Sequence, residues 1–339
     1  MPVEDQLIRR VTGITPSFSG YQGSVRRVAV GTGDDATVIR CPPDREWAVT
    51  VDAFVEGIHF LADRHPLESV GYKALSRATS DLAAMGAQPR FFLLTLGLPS
   101  RRTGAWLDGM LKGLARAART LGLRLVGGDT TRTASVFMSL TVIGEIRRGR
   151  AITRSGARPG DAVYVSGRLG RAHLGLEIML TRIKPRGALG AALRPHLYPR
   201  IRLELGAWLA SHRLASAMID ISDGLSTDLA RLCSASGVAA RLYAKKIPVA
   251  DVPAALAKRL KHAVDPMAMA LHGGEDYELL FTVPKRQIPK LRRAPGFRDL
   301  TEIGVITGGE GLALVDVDGK ECSLTPGGWD PFRDTKPKR

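Results

Sequence analysis

Apolar runs that give way to an acid among small residues recur along this chain of 339 residues, and they narrow what it can fold into. Asp34 and Asp35 follow an apolar run in VAVGTGDDA, Asp52 ends WAVTVD, and Asp220 and Asp223 lie in AMIDISDG, while Asp129 sits among glycines and threonines in VGGDTT. Runs of this length and β-branched character read as strands, and an acid just past one sits near the strand's carboxyl end, where open α/β architectures form crevices. Asp81 differs: SVGYKALSRATSDLAAMGA reads as a helix, and Asp81 falls on its apolar half, where a carboxylate needs a partner or a metal. Carboxylate oxygens suit hard divalent cations. Two carboxylates about 4 Å apart repel by roughly 4 kcal/mol at an effective dielectric near 20, so acids that converge call for positive charge among them.

Further strands are expected at 28–30, 47–51, 91–98 and 136–143, with helical patterns between them. Leu107, Leu111, Leu114, Ala118 and Leu121 form one apolar helix stripe that ends near Gly122. The stretch RRGRAITRSGARPGD marks a domain boundary near residue 148. Beyond it the pattern predicts strands at 162–166, 217–221, 238–243 and 279–283, and helices at 201–209 and after Asp223. The expected fold class is α+β, a mixed α/β architecture, divided into domains at 1–147 and 148–332 with a basic, fraying tail at 333–339.

A hydrophobic content of 44% supplies a sizeable core, and no apolar run approaches the roughly 20 residues needed to cross a bilayer. The opening MPVEDQLIRR lacks the apolar segment of a secretory signal, so a cytoplasmic address is expected. Cys41, Cys233 and Cys322 are too dispersed for a disulfide framework or a thiolate zinc site. The net charge of +16 suits anionic ligands, acidic partners or nucleic acid alike. Its clusters, such as Arg147, Arg148 and Arg150, lack interleaved aromatics, which are only 6% of residues, so specific nucleic-acid binding is not expected.

In VGGDTTR the glycines let backbone N–H groups approach a phosphate while Asp129 holds a cation. Arg154 offers a guanidinium for phosphate oxygens or is an ordinary surface residue. Asp223 reads equally as a helix cap or a ligand. His59, flanked by apolar residues, reads first as a satisfied core histidine, and Glu275 and Asp276 as a turn or a substrate-binding loop. Neither GxxxxGK[ST] nor GxGxxG occurs, and no nucleophile triad is apparent.

Taken in order, GTGDDA, VDAFVEGIHF, KALSRATSDLAAMGAQP, VGGDTTR, ITRSGARPGD, IDISDGLSTDL and HGGEDYELLFTVP resemble the thiamine-monophosphate kinase family of the AIR synthase-like superfamily, from about Val28 to Phe332. The resemblance implies a two-domain AIR synthase-like subunit whose N-terminal domain contributes to a β-barrel across a homodimer. It implies ATP as co-substrate, several Mg2+ ions and thiamine monophosphate as acceptor, in the last step of thiamine diphosphate biosynthesis. Carried over by position, Asp35, Thr50, Asp52, Asp81, Asp129, Asp220 and Asp223 match metal-binding places. Gly128, Asp129, Arg154 and Ser222 match nucleotide contacts, and His59, Glu275 and Trp329 match thiamine-phosphate contacts. Val51 stands where the family often has a hydroxyl residue, so only its carbonyl could reach a metal. Aminoimidazole ribonucleotide synthetase and selenophosphate synthetase are the alternatives within the superfamily, the latter disfavoured because no cysteine precedes Cys41. A non-catalytic basic nucleic-acid-binding protein is the alternative of another class.

Overall fold

The computed structural model describes residues 10–14, 28–30, 38–181, 184–257, 264–293 and 296–332. Asp34, Asp35 and the tail 333–339 lie outside the described residues. The chain forms two compact units, residues 1–151 with 197–211, and residues 152–196 with 212–339.

In unit 1, β1 (Val28–Val30) and β2 (Val38–Ile39) pair antiparallel. Strands β3 (Arg45–Val55), β4 (Gln88–Leu98), β5 (Arg124–Arg132) and β6 (Phe137–Arg147) make an open four-stranded sheet in the order β3-β6-β4-β5. Asp52 lies within β3 and not at its carboxyl end, because apolar Ala53, Phe54 and Val55 continue the pairing with β6; the period of two turns Thr50, Asp52 and Phe54 to the covered face and Val49, Val51 and Ala53 to the exposed one. Helices α1 (Leu67–Met85) and α2 (Ala105–Leu121) pack backbone to backbone at two glycines. A Cβ on Gly71 would lie 2.1 Å from the Met110 carbonyl oxygen, and one on Gly113 would lie 1.7 Å from that of Glu68. The α2 stripe from Leu107 to Leu121 is buried, and the helix stops at Gly122, whose φ of 70° is left-handed.

Unit 2 begins with β7 (Ala162–Val165), α3 (Arg171–Leu180) and α4 (Ala188–Leu197). The chain then returns to unit 1 as α5 (Leu203–His212), where a Cβ on Gly206 would lie 2.0 Å from the Ala83 carbonyl oxygen of α1. A single boundary near 148 does not contain this excursion: small residues let α5 lie against α1, so 197–211 packs with unit 1. Unit 2 resumes with β8 (Ala217–Asp220), α6 (Leu225–Ser236), β9 (Ala239–Tyr243), α7 (Ala254–Ala257), α8 (Pro266–His272), β10 (Leu279–Val283), α9 (Ile288–Arg292), β11 (Thr301–Thr307), β12 (Leu312–Val315) and β13 (Glu321–Ser323). Its sheet runs β13-β12-β9-β11-β7-β10-β8. Every residue of β7, β8 and β10 is buried, as their continuous apolar runs require, and Val163, Val165, Ile219, Leu229, Leu280 and Ile306 belong to one core. Among the described residues no helix is long and apolar enough to cross a membrane.

Candidate active site

Unit 1 joins a strand pair to a helix pair. Thr50 and Asp52 lie two residues apart on β3, about 6.6 Å, while Arg77 and Asp81 lie one helical turn apart on α1, about 6 Å. These spacings match closely enough for both contacts to form at once. The Thr50 hydroxyl donates to Asp81 Oδ2 at 2.5 Å, and Asp52 is held by Arg77, with Nε 2.7 Å from Oδ2 and Nη2 donating to Oδ1 at 3.1 Å. Thus Asp81 has the partner that its apolar setting demands. Burial raises the Asp52 carboxyl above its ordinary range; Arg77 lowers it, and the charge of Asp81 raises it further. The Arg77 guanidinium also lies over the Phe54 ring, 5.5 Å from its centroid.

His59 stacks on the same ring, with centroids 5.8 Å apart. Its Nδ1 accepts the Val55 N–H at 3.0 Å, which leaves the proton of the neutral ring on Nε2. Asp129 is elsewhere on the sheet: Asp52, Leu140, Leu94 and Gly128 form one register row, and Asp129 is next along β5. Strands β3 and β5 are opposite edges, so Asp52 and Asp129 stand about 14 Å apart, three strand spacings. Gly128 has no alternative there, because a Cβ would lie 2.0 Å from the Leu94 carbonyl oxygen. Asp129 is exposed and accepts the Thr130 N–H at 2.9 Å.

In unit 2, Asp220 is buried at the carboxyl end of β8, opposite Leu279 of β10. The segment after it is not capped by Asp223: the N-cap of α6 is Gly224, and Asp223 instead pairs with Arg231, Nη1 to Oδ2 at 2.5 Å. The loop is fixed by Asp228, whose Oδ2 accepts the N–H groups of Ser222 and Asp223, each at 3.0 Å, and whose Oδ1 accepts from Arg231 at 2.8 Å. Burial pushes the Asp228 carboxyl up to about 6, with the charge of Asp223 adding to the rise and the N–H bonds and Arg231 opposing it.

The carbonyls of that loop hold two distant segments. Ser222 accepts the N–H of Glu275 at 2.8 Å, and Asp223 accepts that of Trp329 at 2.9 Å. Glu275 has a φ of 69° and its Oε2 lies 3.2 Å from His196 Nδ1. The next residue, Asp276, accepts the N–H groups of Gly170 and Ala172 at 2.5 and 2.9 Å at the start of α3, and desolvation pushes its carboxyl up to about 7. Gly328 brings Trp329 in because a Cβ there would lie 1.9 Å from the Asp223 carbonyl oxygen. The Arg154 side chain is exposed, and its carbonyl accepts from Ser236 Oγ at 3.0 Å.

The structure therefore gathers Thr50, Asp52 and Asp81 in unit 1, and Ser222, Asp223, Glu275 and Trp329 in unit 2. Sequence reasoning missed Arg77, His196, Asp228 and Arg231; of these only Asp228 carried a signal, its place in SDGLSTDL one turn past the loop. Among the described residues no three His, Cys, Asp or Glu side chains are grouped closely enough to hold a metal ion. The oxygen donors nevertheless fit Mg2+, which keeps several waters and takes one or two carboxylates together with substrate phosphates.

The chain matches the family described as AIR synthase related protein, N-terminal domain, over residues 33–146, and its C-terminal domain over residues 158–317. It is 38% identical over 323 residues to thiamine-monophosphate kinase of Escherichia coli (strain K12), covering 93% of this chain and 95% of that one. The corresponding protein of Aquifex aeolicus (strain VF5) is 36% identical, with 88% and 92% covered. Among solved structures, AaThiL complexed with AMPPCP and TMP aligns with a TM-score of 0.76 and 33% identity, over 86% of this chain and 89% of that one. The thiamine-monophosphate kinase of Stenotrophomonas maltophilia K279a aligns with a TM-score of 0.78 and 33% identity, over 93% and 96%.

Proposed function

The chain belongs to the AIR synthase related family and, within it, to the thiamine-monophosphate kinases, and from that premise we propose that it transfers the γ-phosphoryl group of ATP directly to the phosphate of thiamine monophosphate, giving thiamine diphosphate and ADP. The observation that carries this reading is the single hydrogen-bonded loop to which Ser222, Asp223, Glu275 and Trp329 all belong or attach. Groups assigned to the nucleotide and groups assigned to the acceptor thus share one support.

Thr50, Asp52, Asp81, Asp129, Asp220 and Asp223 are the described residues assigned to Mg2+, and Asp35 joins them by resemblance. When bound, Mg2+ supplies the positive charge that offsets the β- and γ-phosphates. Gly128 lets the β5 backbone lie close, Asp129 and Ser222 orient the nucleotide, and Arg154 gives its guanidinium to phosphate oxygens. His59, Glu275 and Trp329 hold the thiamine phosphate. The accepting oxygen is already ionised near neutral pH, so no strong general base is required and none is assigned.

The exposed face of the unit 1 sheet is proposed as the homodimer face, at which the N-terminal domains complete a β-barrel. Val49 and Val51 on it are 62% and 65% exposed, apolar surface that a second copy would cover. A cytoplasmic setting accords with the substrates.

Coupled ADP detection over a substrate panel tests the function. Release of ADP is expected with thiamine monophosphate and Mg2+, and not with thiamine or with the acceptors of aminoimidazole ribonucleotide synthetase and selenophosphate synthetase. Release confined to one of the latter would replace this reading.

A further inference from the structure

We infer that Asp228 is a positioning residue that couples the two substrate sites of unit 2, with Arg231 as its partner. The inference rests on the reading above, in which Ser222 and Asp223 serve the nucleotide and its cations while Glu275 and Trp329 serve the acceptor.

Asp228 is fully buried on α6, one turn past the N-cap Gly224. The position whose side chain ordinarily reaches back to the N-cap N–H, three past Gly224, is Thr227, and Asp228 lies one residue beyond it. Asp228 reaches further back, to the N–H groups of Ser222 and Asp223, which precede the cap. Its bonds therefore hold the loop and leave the first turn to other partners. The carbonyls of the same two residues accept the N–H groups of Glu275 and Trp329. The 222–223 peptide is thus gripped at its N–H by Asp228 and grips Glu275 at its carbonyl, and the carbonyl of the next peptide grips Trp329. Arg231 closes the arrangement from outside, since one nitrogen contacts both Asp223 Oδ2 and Asp228 Oδ1. A residue tied only to helix stability would not treat the two substrates alike; a hub beneath both sets would.

The test is steady-state kinetics and calorimetric binding on the full chain with ATP, a non-hydrolysable ATP analogue and thiamine monophosphate, for Asp228→Asn, Arg231→Gln and, as a one-sided comparison, Glu275→Gln. Asp228→Asn places an amide where a carboxylate accepted, and about a tenfold rise in KM for both substrates is expected, the effect of one lost charge-assisted hydrogen bond. Arg231→Gln, at a half-exposed position that spares the core, is expected to raise both KM values about threefold. Glu275→Gln should raise only that for thiamine monophosphate. If Asp228→Asn does not fold, Arg231→Gln decides. A rise for one substrate alone, or a loss of kcat with both KM values unchanged, overturns the coupling while leaving the function intact. A wild-type chain with no turnover takes both down together.

Discussion

The guanidinium of Arg77 grips the carboxylate of Asp52 from one turn before Asp81 on the same helix, with Nε 2.7 Å from Oδ2. A fixed positive charge thus occupies one side of a carboxylate that the proposed function gives to Mg2+. Both side chains are largely covered, and breaking such a pair leaves an uncompensated charge that costs on the order of 3 kcal/mol when fully buried and less here. Arg77→Met is expected to lower the melting temperature in chelator and to be restored by Mg2+ more than wild type is. Differential scanning fluorimetry with and without Mg2+ checks this; equal responses of the two proteins would show that Arg77 and the cation do not share Asp52.

Asp81 accepts the Thr50 hydroxyl, a neutral partner, through one oxygen, and the proposed function gives its charge to a cation. Asp81→Asn preserves the shape and the hydrogen bond but removes the charge. Turnover is expected to fall by more than about a hundredfold, with melting within a few degrees of wild type, since preorganised charge stabilisation is worth about 3 kcal/mol in comparable sites. Near wild-type turnover at saturating Mg2+ would remove Asp81 from the metal set.

Helices α1 and α2 touch where Gly113 faces the Glu68 carbonyl, and a methyl group there has only 1.7 Å of room. Gly113→Ala is expected to destabilise the chain by about 1–3 kcal/mol. Gly190→Ala, inside α4 with its nearest neighbour atom at 3.6 Å, should be neutral or stabilising because alanine favours helix. Urea denaturation of the two variants separates crowding from propensity.

Asp276 carries a pH signature of definite sign. Its carboxyl rises from 3.8 to about 7 in the fold, so the folded chain holds the proton more tightly than the unfolded chain. The stability this group contributes is therefore present below about pH 4 and is lost as pH rises through 7, at up to about 1.4 kcal/mol per pH unit. Asp276→Asn is expected to lack that slope. Unfolding free energies measured between pH 4.5 and 7.5 check it: the wild type should lose stability relative to the variant as pH rises, and a parallel course would contradict the assignment.

Much of this architecture is written in local pattern. The α2 stripe and its stop at Gly122, the strands β1, β3, β4 and β6 and the acid at the end of β8 follow from periods of 3.6 and 2 and from turn chemistry, which depend on neighbours in the chain, whereas β5 runs through the glycines of VGGDTTR without such a pattern. The return of 197–211 to unit 1 depends on Gly206 meeting Ala83, more than a hundred residues away, and no periodicity announces such a contact. Asp223 illustrates the same limit. Its setting fits cap and ligand equally in the sequence, and only the glycine cap and the position of Arg231 show that it is not the cap. Glu275 was legible as part of a loop, but its left-handed backbone and its bond to Ser222 are products of the packing of three separate segments. Arg77 carries no signal of its own in the sequence, because its value lies in the register between α1 and β3.

The most direct measurement follows the phosphoryl group itself. ATP labelled at the γ-phosphate is incubated with the chain, thiamine monophosphate and Mg2+, and the products are separated. The label is expected in the terminal phosphate of thiamine diphosphate, one for each ADP formed. Label recovered only as inorganic phosphate, or no ADP at all, would contradict direct transfer to the acceptor phosphate.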